Sequence, residues 1–521
     1  MIKKMPRPLF LGCVLTSLVI GPFFDFARGG APSTLQSVNR EVFATLATDC
    51  TIYAAANGKE ANDGTKHADG TIYPKTLYGA AASTVPGSVV CLLGGRYELP
   101  YAFVPPYGGS SSSWITYKNY GDGDVLLVWT GGFTAAPMIN ILSTAASPTS
   151  YLQFMGLTLD GQGTALDGFF CKGTSSVRFY GNVISNTGGS GIGTQNCDYV
   201  TADHNIIAHN GYIPAGADPN IAQYYSWTSG ISFNLNQCSS SYDGLHLIIS
   251  NNIVVGEVDQ SPNHTDVNGR HTDGGGIILD YDTDTAPPAV SCPYPPGALI
   301  ANNIVYGNGG QCIAANQVSN FWVVNNTCYK NDLDLSAEPS IGEFDSQNST
   351  NGHFVNNIGV AWQPTHPAYV QAGTNSNVYY FKNLYFGSSC SFACSDATQW
   401  FSGDPLLANT PYFDDAASAD GQYKTARPPS AGTPTDHASA AQRCSGMMVP
   451  TCGIVSGFGL ASSNSPAYNA GIDPTTDSFL SARMSANLKA EMQSYIHADI
   501  NGRTRTAGVN WDLGALAHRV D

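Results

Sequence analysis

The feature that most constrains this chain is a recurring asparagine set between short apolar runs. YGNVISNTG from Tyr180, DHNIIAHNG from Asp203, SNNIVVGEV from Ser250, ANNIVYGNG from Ala301, VNNTCYKND from Val324 and VNNIGVAWQ from Val355 share Asn182, Asn205, Asn252, Asn303, Asn326 and Asn357. Their separations are 23, 47, 51, 23 and 31 residues, which gives an underlying period of about 23. FMGLTLDG, from Phe154, is a degenerate copy with Leu157 in the asparagine position. A short period of brief β runs suits a parallel β-solenoid, in which each coil stacks on the last and asparagines at a repeated turn bond to one another. Leucine-rich repeats share the period but need a leucine pattern that is absent. Seven-odd coils are expected between about 150 and 390.

Composition agrees. The 56 glycines and a charged fraction of only 12% suit short strands joined by tight turns, and exclude a mainly helical chain. Lys3, Lys4 and Arg7 precede an apolar run from Leu9 to Phe24 and then small residues, the layout of a secretory signal over residues 1–30. Its removal takes away Lys3, Lys4, Arg7, Arg28 and Asp25, leaving 19 basic against 38 acidic residues. Such a surface excludes a nucleic-acid partner, since phosphate binding needs positive charge. With Cys13 gone the chain keeps 12 cysteines, an even number that suits an oxidising, extracellular or periplasmic location. No later segment is long and apolar enough to span a bilayer, so no membrane association is expected after cleavage, and a monomer is expected.

Counting from each asparagine aligns a second strand. GFFCK begins 11 residues after Leu157, GIGTQ nine after Asn182, GISFN 25 after Asn205 and GIILD 24 after Asn252, so two coils carry insertions of roughly 15 residues at one corner. If Ile192, Ile231 and Ile277 face the core, alternation places Lys172, Gln195, Asn234 and Asp280 outside in one polar column along the axis. The insertions wall it: residues 211–229 bring Tyr212, Tyr224, Tyr225 and Trp227, and residues 257–275 bring Glu257, Asp259, Arg270, His271 and Asp273. Aromatic faces stack on sugar rings, and loops on a rigid scaffold are where binding and catalysis concentrate. Taken singly, each of these polar residues reads more readily as a solvated turn; the clustering carries the functional reading.

The chain resembles the right-handed parallel β-helix of the pectate-lyase-like superfamily. TIYAAANGKEANDGTKHADGTIYPKTLYGAAASTVPGSVVCLLGGRYEL, from Thr51 to Leu99, is similar to the opening module of such secreted proteins, with a capping helix. SPAYNAG followed by DINGRTRTAGVNWDLGALAHR resembles a terminal coil of the same class. The organisation expected is one all-β domain: a cap and first coils over 31–150, central coils and groove over 151–410, and an irregular excursion with a C-terminal coil over 411–521. The helical stretch from Ser481 is expected to cover a solenoid edge.

The resemblance implies a polysaccharide substrate and a choice of chemistries. Lyases of the superfamily remove the proton beside a uronate carboxylate with a Lys or Arg base, often with Ca²⁺. Between Gly173 and Tyr329 there is no lysine, and the arginines are Arg178 and Arg270. Lys172 and Arg270 are therefore the cationic candidates, Arg270 as a clamp on the substrate carboxylate, and His271 is the easier base near neutrality. Glu257, Asp259, Asp280 and Asp282 are the candidate Ca²⁺ ligands. Gln195, Tyr224, Tyr225, Trp227 and Asn234 are the candidate substrate contacts. HTDGGGIILD also resembles, loosely, the NTDG…D segment of polygalacturonase-like glycosidases, which would make Asp273 and Asp280 an acid–base pair, although the GHG and RIK elements of those enzymes are missing. A non-catalytic glycan-binding solenoid is the third reading. Cys238 with Cys292, Cys390 with Cys394 and Cys444 with Cys452 are candidate disulfides, and Cys171, at an inward position, is expected to be reduced.

Overall fold

The computed structural model describes residues 50–143, 149–214, 217–225, 227–236, 240–261, 271, 273–281, 297–334, 341–362, 364–408, 410, 457–506 and 509–518. They form a right-handed parallel β-helix of three sheets, all of whose strand pairs are parallel. Sheet 1 has 11 strands from Ile52–Ala54 to Tyr379–Phe381, sheet 2 has 11 from Gly95–Leu99 to Trp400–Ser402, and sheet 3 has eight from Ile139–Leu142 to Tyr369–Ala372.

The asparagines make the bend between sheets 1 and 2. Each repeat asparagine is fully buried, and its Oδ1 accepts both the backbone N–H and the Nδ2–H of the asparagine one coil earlier; Asn205 and Asn252, for example, meet at 2.9 and 3.0 Å. Its own Nδ2 reaches back to a sheet 1 carbonyl, as Asn252 does to Ala202 O at 2.9 Å. The residue before it lies in the left-handed region, φ +56° at His204, Asn251 and Asn302, a conformation glycine and asparagine tolerate best. Leu157 occupies the first rung, and its N–H donates to Asn182 Oδ1 at 3.0 Å. Asn383 adds a last rung, accepting from Asn357 at 3.0 Å.

Sheet 3 explains the glycines that open GFFCK, GIGTQ, GISFN and GIILD. A Cβ at Gly191, Gly230 or Gly276 would come within 2.2 to 2.5 Å of the sheet 2 side chains Ile207, Val254 and Val305, so the corner closes against that apolar column only without one. Where the fifth coil has Cys312 instead, the sulfur bonds to Cys328 of sheet 2. Inside, Phe169, Ile192, Ile231, Ile277, Ile313, Phe344 and Tyr369 stack one per coil, all fully buried.

The helix Leu77–Ala82, N-capped by Thr76, buries Leu77, Ala80 and Ala81 on the first coil as a cap. The C-terminal region departs from expectation. Among the described residues no strand follows Trp400–Ser402, so SPAYNAG and the segment after it build no further coil. The helix Ala486–Ile496 does not cover a solenoid edge: Leu488, Met492 and Ile496 lie on the outer side of sheet 1, against Leu245, Ile248, Leu299 and Trp322. The reason is that these outward sheet 1 positions are themselves apolar and need burial. Cys390 and Cys394 are joined as expected; Cys171 is inward but bonded to Cys197, the residue that begins the next turn, and Cys50 pairs with Cys91. Residues 1–30, Cys238, Cys292, Cys444 and Cys452 lie outside the described residues.

Candidate functional site

The polar column exists in the expected register. Lys172 pairs with Gln195, Gln195 with Asn234, and Asn234 with Asp280, and the column continues through Asn316 and Gln347. The last two extend it beyond the sequence reading, yet the signal was there: each stands four residues after a strand opening, as Asn234 stands four after Gly230. Asn316 Nδ2 donates to Asp280 Oδ1 at 2.6 Å. The neighbouring outward column is Phe170, Gly193, Ser232, Ile278, Ala314 and Asp345. Together they make the outer face of sheet 3, one strand wide and about 10 Å across from Ile277 to Asp280.

The opposite margin is the corner between sheets 2 and 3, where the two insertions fold onto each other. Ser261 Oγ donates to Ala222 O at 2.8 Å, Ile213 N–H to Gln260 Oε1 at 2.9 Å, and Gly274 N–H to Thr228 O at 2.7 Å. At this seam lie Trp227, Asp259, His271 and Asp273, joined from two coils further on by Asp332 and Asp334. His271 Nδ1 lies 2.6 Å from Asp334 Oδ2, with His271 partly open and Asp334 buried. Trp227, held at φ +61°, donates its N–H to Asp259 Oδ2 at 3.0 Å. Burial, and then the charges of Asp273 and Asp334, push the Asp259 carboxyl well above the usual range. Burial pushes Asp332 up to about 7 against the opposing pull of its partner His366, whose Nδ1 meets Asp332 Oδ2. Asp332, Asp334 and His366 were not singled out in the sequence, because VNNTCYKNDLDL shows acids after a strand without showing that coil stacking brings Asp334 against His271 and Asp332 against His366.

Other expected residues fall elsewhere. Glu257 is buried inside a second ladder, Thr187–Asn210–Glu257–Asn308–Asn331–Glu343, where its Oε1 accepts from Asn210 Nδ2 at 3.1 Å and its N–H donates to Asn308 Oδ1 at 2.8 Å. Burial pushes it up to about 8. Asp280 ends its strand on the far margin, so Glu257, Asp259 and Asp280 are not gathered at one point. Among the described residues, the one group with metal-ligand spacing is Cys312, Cys328 and Glu343, whose cysteines are bonded to each other. Tyr225 is fully buried rather than presented to solvent: it stacks on Phe133 at 4.7 Å and its hydroxyl donates to Thr134 O and Thr164 O. Tyr224 is half-buried on the short helical turn 223–225. Arg270 and Asp282 lie outside the described residues.

No family model matches the chain, and no curated protein matches it. Among solved structures it is similar to a pectate lyase, with a TM-score of 0.48 and 16% identity over 91% of this chain and 99% of that one. It is similar also to a GH136 lacto-N-biosidase from Eubacterium ramulus, TM-score 0.39 and 16% identity over 67% of this chain and 58% of that one. A third similar structure, a PL6 family alginate lyase, has a TM-score of 0.31 and 12% identity over 67% and 57% of the two chains. At these identities the likeness concerns the path of the chain, and a shared path does not carry a reaction with it.

Proposed function

We propose that the protein is a carbohydrate-active enzyme that cleaves a uronic-acid-containing polysaccharide by β-elimination, in a groove over the outer face of sheet 3. The observation that carries this reading is the pairing of two margins: a polar column in register along the axis, and opposite it a histidine fixed at 2.6 Å by a buried aspartate. With Nδ1 turned to Asp334, the His271 Nε2 is the atom that meets substrate.

In the proposed step Nε2 takes the proton from the carbon next to the uronate carboxylate. The electron pair left behind forms the carbon–carbon double bond, the bond to the glycosidic oxygen breaks, and the leaving oxygen takes a proton from imidazolium or water. Arg270, adjacent to His271 in the chain, is assigned the carboxylate of the reacting sugar. Lys172 stands three coil steps from Asp280, about 14 Å, and so contacts a different sugar of the same polymer. Ca²⁺ enters no step, because Glu257 is committed to the ladder and Asp280 lies across the face from Asp259.

Hydrolysis is the second reading. Asp280 is a full strand away from the corner that holds Asp273, more than the ~6.5–9.5 Å that suits an inverting pair. Asp259 and Asp273 fit better: burial first, and then the charge of Asp273, raise the Asp259 carboxyl, and unlike environments for two neighbouring carboxyls are how an acid and a base are set side by side. Four disulfides among the described residues suit export to an oxidising compartment, and no described helix is long and apolar enough to cross a membrane. The test is a polysaccharide panel followed by ultraviolet absorbance and reducing ends together, with and without EDTA. A rise in both signals that survives EDTA is expected. Reducing ends without the unsaturated product would assign hydrolysis and make Asp259 and Asp273 the reacting pair.

A further inference from the structure

The described residues on the face of sheet 3 carry little positive charge for a polymer of acids. Along its polar column the groups are Lys172, Gln195, Asn234, Asp280, Asn316 and Gln347, and the neighbouring column adds Asp345. In these columns one cation, Lys172, therefore stands with one partly open carboxylate, Asp280, and a buried one, Asp345, across six coils, on a chain whose net charge is −16. A fully ionised polyuronate places a carboxylate on every sugar, and a sugar is about as long as one ~4.8 Å coil step. Such a polymer would set an anion against an amide or another carboxylate at most positions, a long-range and local repulsion that complementarity normally avoids.

What the face does offer suits neutral sugars. Carboxamides both donate to and accept from hydroxyls. Before the first strand of sheet 3, Phe103 pairs with Ile139, so the segment from Tyr101 to Tyr107 occupies the preceding coil on the same side. There Tyr101 is 60% exposed and Tyr107 49%, the aromatic faces that the buried Tyr225 does not supply. Tyrosine faces stack on sugar rings without requiring charge.

We infer that the groove takes a polymer in which acidic sugars are diluted among neutral or esterified ones, with isolated carboxylates placed at Lys172 and at the reacting position, amide–hydroxyl contacts between them, and ring stacking at Tyr101 and Tyr107. The inference rests on the carbohydrate reading above and narrows its substrate class.

The test is native affinity electrophoresis of the intact protein in gels containing one uronate homopolymer prepared with none, half or nearly all of its carboxylates methyl-esterified. The expected result is a roughly tenfold tightening from the free acid to the mostly esterified polymer, as removed like charges stop opposing association. Asn316→Lys is expected to shift the preference back toward the free acid, and Tyr107→Ala to weaken binding to the esterified form. Tightest binding to the free acid, unaffected by Asn316→Lys, would overturn the charge-dilution inference while leaving the carbohydrate reading in place. Retardation by none of the polymers, with no cleavage of any, would overturn both.

Discussion

Two of the three corners of each coil are built from the same material and do opposite things. Between sheets 1 and 2, two residues suffice in every coil from Gly156–Leu157 to Lys382–Asn383: one left-handed residue and one ladder rung. Between sheets 2 and 3 a second ladder runs inside, but the chain outside it varies from a short turn at Asn186–Gly191 to the long excursion after Gly256. An internal ladder fixes the coil spacing at both corners. Length is free to vary only where it is not counted by the bend itself, and there the acids, the histidine and the inserted aromatics accumulate.

The largest effect expected from breaking this contrast is on the uniform corner. Asn303→Leu removes the acceptor of two Asn252 donors and the donor to Ile249 O, at the centre of the stack. Leaving those buried groups unpaired is expected to cost about 3–5 kcal/mol, read as a lower denaturation midpoint. Leucine is tolerated at position 157 because that rung ends the ladder: its N–H still donates to Asn182, and the coil before it bends through a longer loop between Ile115–Asn119 and Val125–Trp129. A midpoint unchanged in Asn303→Leu would mean that the ladder is decoration.

The variable corner is expected to answer in rate instead. His271→Ala should lower turnover by roughly 10²- to 10⁴-fold, the usual share of a positioned base. Asp334→Asn should lower it in part, because it replaces the carboxylate that holds Nδ1 and turns Nε2 outward. Neither is expected to move the denaturation midpoint as Asn303→Leu does. Turnover retained in His271→Ala would dismiss it as the base.

How much of this was legible follows from the same contrast. The asparagine bend repeats residue by residue, so Asn182 to Asn357 and the register of Lys172 with Gln195, Asn234 and Asp280 could be counted from the sequence. Asn316 and Gln347 were equally countable, but Cys312 and Glu343 replace the opening glycine and hide the motif. The pairing of His271 with Asp334 joins residues 63 apart on different coils, and no local pattern announces it. Glu257 misled for a related reason: an acid in an insertion reads as exposed until the rungs Asn210 and Asn308 are seen on either side of it.

That glutamate separates the two ladders chemically. After Leu157 the first is all amide, and an amide has no charge to lose. In the second, burial pushes Glu257 and Glu343 from 4.5 up to about 8. The folded state then holds protons that the unfolded chain has released, so their contribution is fully present below pH 4.5 and is lost as pH rises toward 8. Stability measured by denaturation is expected to fall across that window, and to fall less in Glu257→Gln, which keeps the acceptor for Asn210 and cannot ionise. Parallel curves for the two proteins would show that Glu257 is ionised in the fold throughout.

The smallest effect expected concerns Tyr225, which the sequence places among the sugar contacts and the structure sets beneath them. Its hydroxyl ties the first insertion to Thr134 and Thr164 of earlier coils, and its ring covers Phe133. Tyr225→Phe keeps the stacking and removes the two hydrogen bonds, leaving carbonyls that water at the margin can reach. The expected loss is about 1 kcal/mol of stability with no change in polymer affinity. Tyr107→Ala should give the reverse, weaker binding at an unchanged midpoint, because a ring that is 49% exposed contributes little to the core. Running the pair together distinguishes an aromatic that holds the loop from one that holds the ligand.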